Sequence, residues 1–591
     1  MKIEAIKRAE AIDVSILIGG KAGDGVLFTG NILARLLKRY GWWAVTYRDF
    51  PSNIRGEGTQ YVIRASLEPI ENCREGVDIF LAFDCEAIKK HAPRLNKGAL
   101  LLCDGADAAI LPTSVSSEVV AIAFPLRQPA KEKFGKELYK NMMAIGALSY
   151  LLGLEVNPLE DIVRELFFEK KGEAVVETNL KAVYLGYELG QKLIPKNKRW
   201  FLPRFTDNRR MILMGDEAVA LGALAAGCRF FAAYPICPAS EIWQWLAPRI
   251  KDFGGVVVQV EDELAALNMA IGAAYAGARA MTATSGPGAS LMMEAFSLAG
   301  MIETPVVIAH VQRVGPSTGL PTKTQQGDLL QWIFGAHGEF PRIVLAPGSI
   351  EECFTFTVSA FNLAEKLQGP VVILLDLDLG QNLRTTHFPL AQDWIIDRGK
   401  LLSADEVAKN KEYKRYLITE DGISPRTFPG ISGGIHLVES VEHGENGLRS
   451  EDPEIRKKMM EKRMRKLLSI APNLIPPIIF GPPEAEIAVI GVGSTKGPIL
   501  EALKFLREEG IQAKFFQVRT LWPFPTREVS EFLQGTRQLV IVENNYTGQL
   551  LTLLQSQVCF SPNLKVEGLR KYLPDNFTPE EIYRGLKQLC Q

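Results

Sequence analysis

The sequence predicts an α/β protein made of three α/β domains, each with a mainly parallel sheet. Short apolar runs typical of buried strands alternate with helical stretches along most of the chain. The 591 residues are about twice the length at which a single hydrophobic core stops growing, so several domains are expected. Two irregular polar stretches, 196–210 and 383–475, separate the alternating segments and are interpreted as a linker and a connector.

The first segment, residues 1–195, contains the strand-like runs "VSILIGG", "VDIFLAFD", "GALLLCDG" and "VVAIAF". Helical stretches such as "NILARLLKRYG" and "NMMAIGALSYLLGL" accompany them. This succession of strands and helices predicts a mainly parallel sheet that is covered by helices.

The second segment, residues 211–382, has six short and nearly wholly apolar runs, which predict a sheet buried on both faces. These runs are "CRFFAAYP", "GVVVQVE", "RAMTATSG", "PVVIAHVQ", "RIVLAP" and "PVVILLDLD". The connector, 383–475, ends in the charged helix "EDPEIRKKMMEKRMRKLLS", which is expected to be solvated. The third segment, 476–591, contains the strand-like runs "AEIAVIGVGS", "QAKFFQVRTL" and "QLVIVENN".

Charge and composition exclude several classes of protein. The 67 basic and 68 acidic residues leave a formal charge of -1, which gives no indication of a nucleic-acid or anionic-membrane partner. We find no signal-peptide core and no apolar run near the roughly 20 residues that a bilayer needs, so a cytoplasmic location is expected. The 8 cysteines include no CxxC pair, and the 6 histidines include no HExxH motif. We therefore expect no zinc or iron-sulfur site built by this chain.

A glycine-rich turn, "GGKAGDGVLFTG", follows the first predicted strand. Its glycines expose backbone N–H groups at the start of a helix, which suits a phosphate group. They are Gly19, Gly20, Gly23 and Gly25. The spacing is neither GxGxxG nor GxxxxGK[ST], so a tight turn without a ligand is an equal alternative.

The same turn permits a second interpretation. Asp24 precedes Asn53 by a gap like that of the magnesium-diphosphate motif of thiamine-diphosphate enzymes. Carboxylate and amide oxygens are suitable magnesium ligands, but such a spacing of residue types often occurs by chance. A magnesium site at Asp24 and Asn53 is therefore kept as an alternative.

Two turns of the second segment expose polar groups directly after predicted strands. In "AAYPICPASEIWQWL", two prolines rigidify the backbone around Ile236 and Cys237, and Ser240 is a candidate N-cap. In "TATSGPGAS", which contains Ser285, two glycines permit the close approach of a ligand or of neighbouring backbone. Both turns would lie at the carboxyl ends of parallel strands, where such sheets bind ligands.

A longer loop, "HVQRVGPSTGLPTKTQQGD", carries Arg313 among hydroxyl side chains. The guanidinium fork can pair bidentately with a planar carboxylate, although a surface salt bridge is an equal alternative for an isolated arginine. Another predicted strand runs directly into Glu261, Asp262 and Glu263. All these features follow strands of one predicted sheet, so we expect them to meet at its carboxyl edge.

The segments "YPICPASE", "VEDELAALNMAIGAAYAGARAMTATSGPG" and "QRVGPSTGLPTKTQQGDL" resemble the α subunit of 2-oxoacid:ferredoxin oxidoreductases. The N-terminal segment resembles the γ domain of that family, and the last segment resembles the transketolase C-terminal domain. The similarity covers nearly the whole chain. A γ–α fusion in this order is most like the 2-oxoglutarate branch.

The resemblance implies CoA-dependent oxidative decarboxylation of a 2-oxoacid with thiamine diphosphate. It implies 2-oxoglutarate as the substrate, with pyruvate or a branched or aromatic 2-oxoacid as alternatives. This chain would supply the pyrimidine side of the cofactor site. A β subunit would supply Mg²⁺, the [4Fe-4S] clusters and the route to ferredoxin, in a heterodimer or a dimer of heterodimers. The glycine-rich turn, together with Arg55, would lie on the CoA side, which displaces the magnesium interpretation of Asp24.

The resemblance also implies roles for individual residues. Glu263 would hydrogen-bond N1′ of the aminopyrimidine, and its spacing to Gly272 favours it over Glu261. Arg313 would bind the C1 carboxylate of the 2-oxoacid. The remaining residues would contact the cofactor (Pro235, Ile236 and Ser285) or the substrate (Cys237, Thr318 and Thr322).

One position departs from the family pattern. Family members usually carry "YPITP", whereas this chain has Cys237 where the threonine stands. A thiol is a weaker hydrogen-bond donor than a hydroxyl, so the substrate preference can differ. Two other functions stay open on the sequence: a self-contained thiamine-diphosphate enzyme with magnesium at Asp24 and Asn53, and a non-catalytic scaffold that binds CoA or a partner subunit.

Overall fold

The computed structural model describes residues 13–51, 58–104, 115–205, 210–387, 394–409 and 412–589. Asn53 and Arg55 lie outside the described residues. The strands, numbered in chain order, are β1 Asp13–Lys21, β2 Trp43–Asp49, β3 Gly58–Ser66, β4 Val77–Ala82, β5 Leu95–Cys103, β6 Val120–Ala123, β7 Arg210–Leu213, β8 Phe230–Ala233, β9 Val256–Gln259, β10 Ala280–Thr284, β11 Val306–Gln312, β12 Ile343–Leu345, β13 Pro370–Asp376, β14 Arg384–His387, β15 Ile478–Phe480, β16 Ile487–Val492, β17 Ala513–Val518, β18 Thr520–Trp522, β19 Gln538–Glu543 and β20 Lys565–Arg570.

The α-helices alternate with the strands, and the predicted α/β class is confirmed. They are α1 Val26–Arg39, α2 Cys85–His91, α3 Arg127–Phe134, α4 Lys140–Leu152, α5 Asn157–Lys171, α6 Glu173–Leu193, α7 Gly215–Ala225, α8 Ser240–Ile250, α9 Glu263–Tyr275, α10 Gly286–Met301, α11 Leu329–Phe334, α12 Ile350–Leu367, α13 Leu377–Gln381, α14 Ala404–Lys409, α15 Pro453–Ile470, α16 Lys496–Glu508, α17 Thr526–Phe532, α18 Gln549–Gln557 and α19 Pro579–Leu589. In the described part of the chain, no helix is long and apolar enough to cross a bilayer.

The chain divides into two compact units. The first lies within Met1–Leu213 and Asn382–Phe388, and the second within Met214–Gln381 and Pro389–Gln591. Strand β14 belongs to the first unit although it lies in the predicted connector, because it pairs with β2 and β7.

The sheet of the first unit is mixed, with the order β6-β5-β4-β1-β3-β2-β14-β7. The four strands that the sequence indicated, β1, β4, β5 and β6, are parallel to one another. The remaining strands pair antiparallel, beginning with β3 between β1 and β2. No helix separates β2 from β3 among the described residues, and a short connection favours antiparallel pairing.

The second unit contains two sheets. The larger has the order β18-β12-β13-β11-β10-β8-β9, and all six strands expected from the second segment are present in it. Complete burial was the wrong expectation for β9, because this strand forms the sheet edge and Val256 is exposed. The smaller sheet, which we call the C-terminal sheet, has the order β15-β17-β16-β19-β20. Strand β18 follows β17 in the sequence but belongs to the larger sheet, where it pairs antiparallel with β12.

Helix α15 differs from the expectation of a solvated connector helix. Lys462 and Lys466 on this helix are fully buried, and both ammonium groups contact the carboxylate of the buried Glu303. One face of this charged helix is therefore buried. The sequence pattern of the helix does not predict this, because the counter-charge of the lysines lies on a distant segment of the chain.

Candidate active site

The carboxyl edge of the larger sheet carries the predicted site residues. Strands β8 to β11 and β13 are parallel neighbours there, so the loops that follow them emerge at one edge. The loops after β8, β9, β10 and β11 are those singled out in the sequence. Their side chains now define the geometry.

The three acids after β9 have different environments. Asp262 is the N-cap of α9, and its Oδ1 accepts a hydrogen bond from Ala265 N at 2.7 Å. Glu261 is exposed. Glu263 is the first residue of α9 and is only 4% exposed. Burial raises the pKa of the Glu263 carboxyl, and the charge of Asp262 adds to this rise, while Arg313 opposes it.

Gly288 makes room for the Glu263 carboxyl group. A Cβ at this glycine would lie 2.4 Å from Glu263 Oε1 and 2.2 Å from Thr284 Oγ1. These contacts are too short for any side chain, so only glycine keeps the carboxyl and the hydroxyl in place. Within the described residues, Thr284 Oγ1 and the neighbouring Ser285 Oγ are buried without a hydrogen-bond partner. Buried polar atoms of this kind normally have partners, and their presence here indicates a ligand site.

Arg313 is the first residue after β11 and connects three loops. Its Nη1 donates a hydrogen bond to the carbonyl of Cys237 at 2.6 Å, and its Nε lies beside Gly286. Arg313 is 5% exposed as a residue, and its Nε has no hydrogen-bond partner among the described residues. Burial lowers the pKa of Arg313, and this effect is partly opposed by Cys237, Asp328 and Glu263. A buried guanidinium with unused donors suits a planar anion.

The turn after β8 is held from two sides. The thiol of Cys237 lies 3.3 Å from the Pro321 carbonyl, and Gln381 Nε2 donates to the Pro238 carbonyl at 3.2 Å. The Cys237–Pro238 peptide bond is cis. The suggestion that Ser240 is an N-cap is wrong, because Ala239 occupies that position and Ser240 Oγ donates to the Ile236 carbonyl.

The two threonines expected in the substrate pocket differ in burial. Thr318 lies in the exposed tip of the loop, and Thr322 is half-buried closer to its base. Pro235 and Ile236 are half-buried next to Cys237. The sequence did not single out Thr284 or Gln381, although hydroxyls two apart in "TATSG" mark one face of β10.

The glycine-rich turn of the first unit has the predicted form. Gly23 and Gly25 have φ of 96° and 82°, and α1 begins directly after Gly25. Asp24 is paired with Lys140 at 2.6 Å and with Arg127 at 3.3 Å. A carboxylate that is already paired with two cations is a poor magnesium ligand, which argues against a self-contained magnesium site.

Comparisons with known proteins agree with this geometry. Three family models match the chain: "Pyruvate ferredoxin/flavodoxin oxidoreductase" over 15–189, "Pyruvate flavodoxin/ferredoxin oxidoreductase, thiamine diP-bdg" over 221–462, and "Pyruvate:ferredoxin oxidoreductase core domain II" over 485–581. The α subunit of 2-oxoacid:ferredoxin oxidoreductase 2 from Aeropyrum pernix is 34% identical, over 95% of this chain and 96% of that protein. The chain belongs to the 2-oxoacid:ferredoxin oxidoreductase family.

Within the 2-oxoacid:ferredoxin oxidoreductase family, relatives of the 2-oxoglutarate branch are also similar. The 2-oxoglutarate synthase subunit KorA of Methanothermobacter marburgensis is 37% identical over 63% of this chain and 96% of that protein. A solved 2-oxoglutarate:ferredoxin oxidoreductase from Magnetococcus marinus, with 2-oxoglutarate, coenzyme A and succinyl-CoA bound, has a TM-score of 0.91 and 35% identity. It covers 98% of this chain and 100% of that one. The predicted family, the γ–α order and the oxidoreductase class are confirmed.

Proposed function

We propose that this chain is the α subunit of a CoA-dependent 2-oxoglutarate:ferredoxin oxidoreductase that converts 2-oxoglutarate to succinyl-CoA. One observation carries the proposal: a buried carboxyl, Glu263, and a buried guanidinium, Arg313, flank the glycine turn that begins α10. The names of the relatives support 2-oxoglutarate as the substrate over pyruvate or a branched or aromatic 2-oxoacid.

The residues at this edge fit the aminopyrimidine side of thiamine diphosphate. Glu263 offers a carboxyl with a raised pKa, which can share a proton with a ring nitrogen. Gly288 leaves the space that this carboxyl occupies, and Ser285 offers a buried hydroxyl without a partner in the described structure. When bound, thiamine diphosphate supplies a nucleophilic carbon for attack on the 2-oxo group.

The chain's own residues then have separable tasks. Glu263 holds the proton at the pyrimidine nitrogen. Arg313 orients the C1 carboxylate of the 2-oxoacid, with Cys237, Thr318 and Thr322 on the substrate side. Pro235 and Ile236 form a rigid wall of the cofactor pocket. Burial of Glu263 and Arg313 keeps water away from both side chains and strengthens their interactions.

Other parts of the enzyme belong to partners in this proposal. A β subunit supplies Mg²⁺ and the [4Fe-4S] clusters and passes electrons to ferredoxin, and the enzyme works in the cytoplasm as a heterodimer or a dimer of heterodimers. The turn from Gly19 to Gly25, with Arg55, serves the CoA side. Its support is the start of α1, which no side chain caps, and the cations Lys140 and Arg127, which pair with Asp24 in the same turn.

The substrate assignment is tested by assaying the chain with its β subunit. We expect ferredoxin reduction that requires thiamine diphosphate, CoA and a 2-oxoacid, with kcat/KM for 2-oxoglutarate at least about 10-fold above that for pyruvate. Pyruvate would leave unpaired the groups that bind the distal carboxylate of 2-oxoglutarate. The chain alone, with magnesium and thiamine diphosphate, is the control and should be inactive. Turnover by the chain alone, or a preference for pyruvate, would contradict the proposal.

The role of Arg313 predicts a substrate-binding defect. Arg313→Ala should raise KM for the 2-oxoacid about 100-fold, since a buried carboxylate loses a charged hydrogen-bond partner worth about 3 kcal/mol. Steady-state kinetics at saturating CoA measure this change. Arg313→Lys should be intermediate, because it keeps the charge and loses the fork. Arg537→Ala, at an exposed surface ion pair, is the matched control. An unchanged KM in Arg313→Ala would remove this assignment.

A further inference from the structure

The loop that carries Arg313 is anchored at its far end. We call residues 313–328 the Arg313 loop. Its tip, 315–320, is exposed, whereas Gln326 near its end is only 1% exposed. A long loop with a buried polar side chain must satisfy that side chain somewhere in the protein. For Gln326 the partners come mainly from the C-terminal sheet.

The C-terminal sheet has a crevice of the kind that usually binds a ligand. From β16 the chain passes to β17 on one side and later to β19 on the other, so the strand order reverses between β16 and β19. In open parallel sheets, ligands bind outside the carboxyl ends of the strands at such a switch point. Here that point lies between Val492, at the end of β16, and Asn544, directly after β19.

Gln326 occupies this crevice with both its backbone and its side chain. Gln326 N donates to the carbonyl of Asn544 at 2.7 Å, and Gln326 Oε1 accepts from Asn544 N at 3.2 Å. Gln326 Nε2 donates to the Val492 carbonyl at 3.0 Å, and the Gln326 carbonyl accepts from Asn545 Nδ2 at 3.0 Å. Each polar group of the residue therefore has a partner in the C-terminal sheet or the loop after it.

The walls of the crevice are shaped for this occupant. Gly493 has φ of 60°, and a Cβ there would lie 3.0 Å from Gln326 Nε2 and 3.2 Å from Asp376 Oδ2. Asp376, at the end of β13, accepts from Gln326 Nε2 at 2.9 Å and from Ser494 Oγ at 2.7 Å. The carboxylate thus joins the larger sheet, the loop and the C-terminal sheet in one buried network.

Contacts within the loop connect this anchor to Arg313. The Lys323 carbonyl accepts a hydrogen bond from Val314 N at 3.0 Å, and Gln325 Oε1 accepts one from Gly315 N at 3.3 Å. Val314 and Gly315 directly follow Arg313 in the chain. A residue that fixes 323–326 therefore also fixes the start of the loop, where the guanidinium emerges.

We propose that the C-terminal sheet uses its ligand crevice to hold the Arg313 loop, and that Gln326 is the positioning residue that keeps the Arg313 guanidinium at the substrate site. The inference rests on the proposed function for the substrate role of Arg313. The anchoring itself rests only on the contacts of Gln326.

The test compares Gln326→Leu with the wild type in the assembled enzyme. Leucine has a similar size and removes the side-chain hydrogen bonds. We expect amide hydrogen exchange in residues 313–323 to rise at least 10-fold, and KM for 2-oxoglutarate to rise about 10-fold with kcat within twofold and thiamine diphosphate affinity unchanged. Gln555→Leu, on the exposed face of α18, is the matched control and should behave as wild type.

A double variant separates the two claims. If Gln326 acts through Arg313, adding Gln326→Leu to Arg313→Ala should raise KM no further. A full additional 10-fold rise, or wild-type exchange and KM in Gln326→Leu, would overturn the proposal. Failure of the proposed function gives a different result: an unchanged KM in Arg313→Ala, with the loop exchange still raised in Gln326→Leu. Should Gln326→Leu not fold, Asn545→Ala removes the donor to the Gln326 carbonyl, and the same exchange and KM criteria decide.

Discussion

Glu263→Gln in the assembled enzyme is expected to lower kcat for 2-oxoacid oxidation by roughly 100- to 10,000-fold, the range attributed to a positioned acid or base. The glutamine has nearly the same shape, and Gly288 leaves room for it. What it lacks is a proton that can be shared with the pyrimidine nitrogen. The rate of hydrogen–deuterium exchange at C2 of bound thiamine diphosphate should fall in parallel, because that step depends on the shared proton.

A matched control lies two residues away. Glu261 is an exposed carboxylate on the same turn, so Glu261→Gln removes the same charge without touching the buried site. We expect its kcat to stay within about twofold of wild type, as for most exposed substitutions. Equal losses in both variants would indicate a general effect of charge at the start of α9, and wild-type turnover in Glu263→Gln would exclude Glu263 from catalysis.

Glu263→Gln should also differ from the wild type in thermal stability, by an amount that depends on pH. Burial raises the folded-state pKa of Glu263. The contribution of this group to the free energy of unfolding is therefore fully present below the unfolded pKa of roughly 4.3, and it is lost as pH rises through the folded-state pKa. Without cofactor, Glu263→Gln should therefore melt at a higher temperature than wild type at pH 8. The difference should narrow as the pH falls toward about 4.5. A lower Tm at pH 8 would contradict the inferred cost of ionising this carboxyl.

The sequence predicted what depends on local patterns. Apolar runs identified the four parallel strands of the first sheet and the six strands of the larger sheet in the second unit. Since parallel strands share a carboxyl edge, the convergence of Glu263, Cys237 and Arg313 followed from their positions after strands. The antiparallel strands β2 and β3, "WAVTYRD" and "GTQYVIRAS", were missed because their polar residues weaken the apolar signal.

What could not be predicted depends on contacts between distant segments. Gln326 lies in a polar stretch, and nothing local indicates that its partners come from Val492 and Asn544. The lysines of α15 give the helix the charged pattern of a solvated helix. In the structure they contact Glu303, which is distant in the sequence. Charges and amides carry no periodic signature of burial, because each is buried only where one specific partner satisfies it.

Replacing Glu303 is expected to be strongly destabilising. The buried carboxylate accepts from Lys462 Nζ at 2.6 Å and also contacts Lys466, while the Glu303 carbonyl accepts from Arg415 at 2.6 Å. Burial alone would raise the pKa of Glu303, but the two lysines hold it well below its usual range. Glu303→Gln keeps the shape and leaves both ammonium groups uncompensated. Breaking a buried pair in this way costs about 3 to 5 kcal/mol, so we expect Tm to fall by roughly 5 to 10 °C.

The pH dependence and a compensating variant show whether unpaired charge is the cause. Burial lowers the pKa of Lys466 to about 7 although the Glu303 carboxylate opposes this, so removing that carboxylate lowers the pKa further. A lowered lysine pKa gives stability that is fully present above the unfolded pKa of roughly 10.4 and is lost as pH falls through the folded value, and the variant loses more of it than the wild type does. The Tm deficit of Glu303→Gln should therefore be smaller at pH 9.5 than at pH 7. Adding Lys462→Met and Lys466→Met should restore much of the loss, because apolar residues of similar length can replace buried ions. A Tm deficit that is independent of pH and persists in the triple variant would assign the effect to lost packing. The fully buried lysines of α15 would then have to be uncharged in the folded protein.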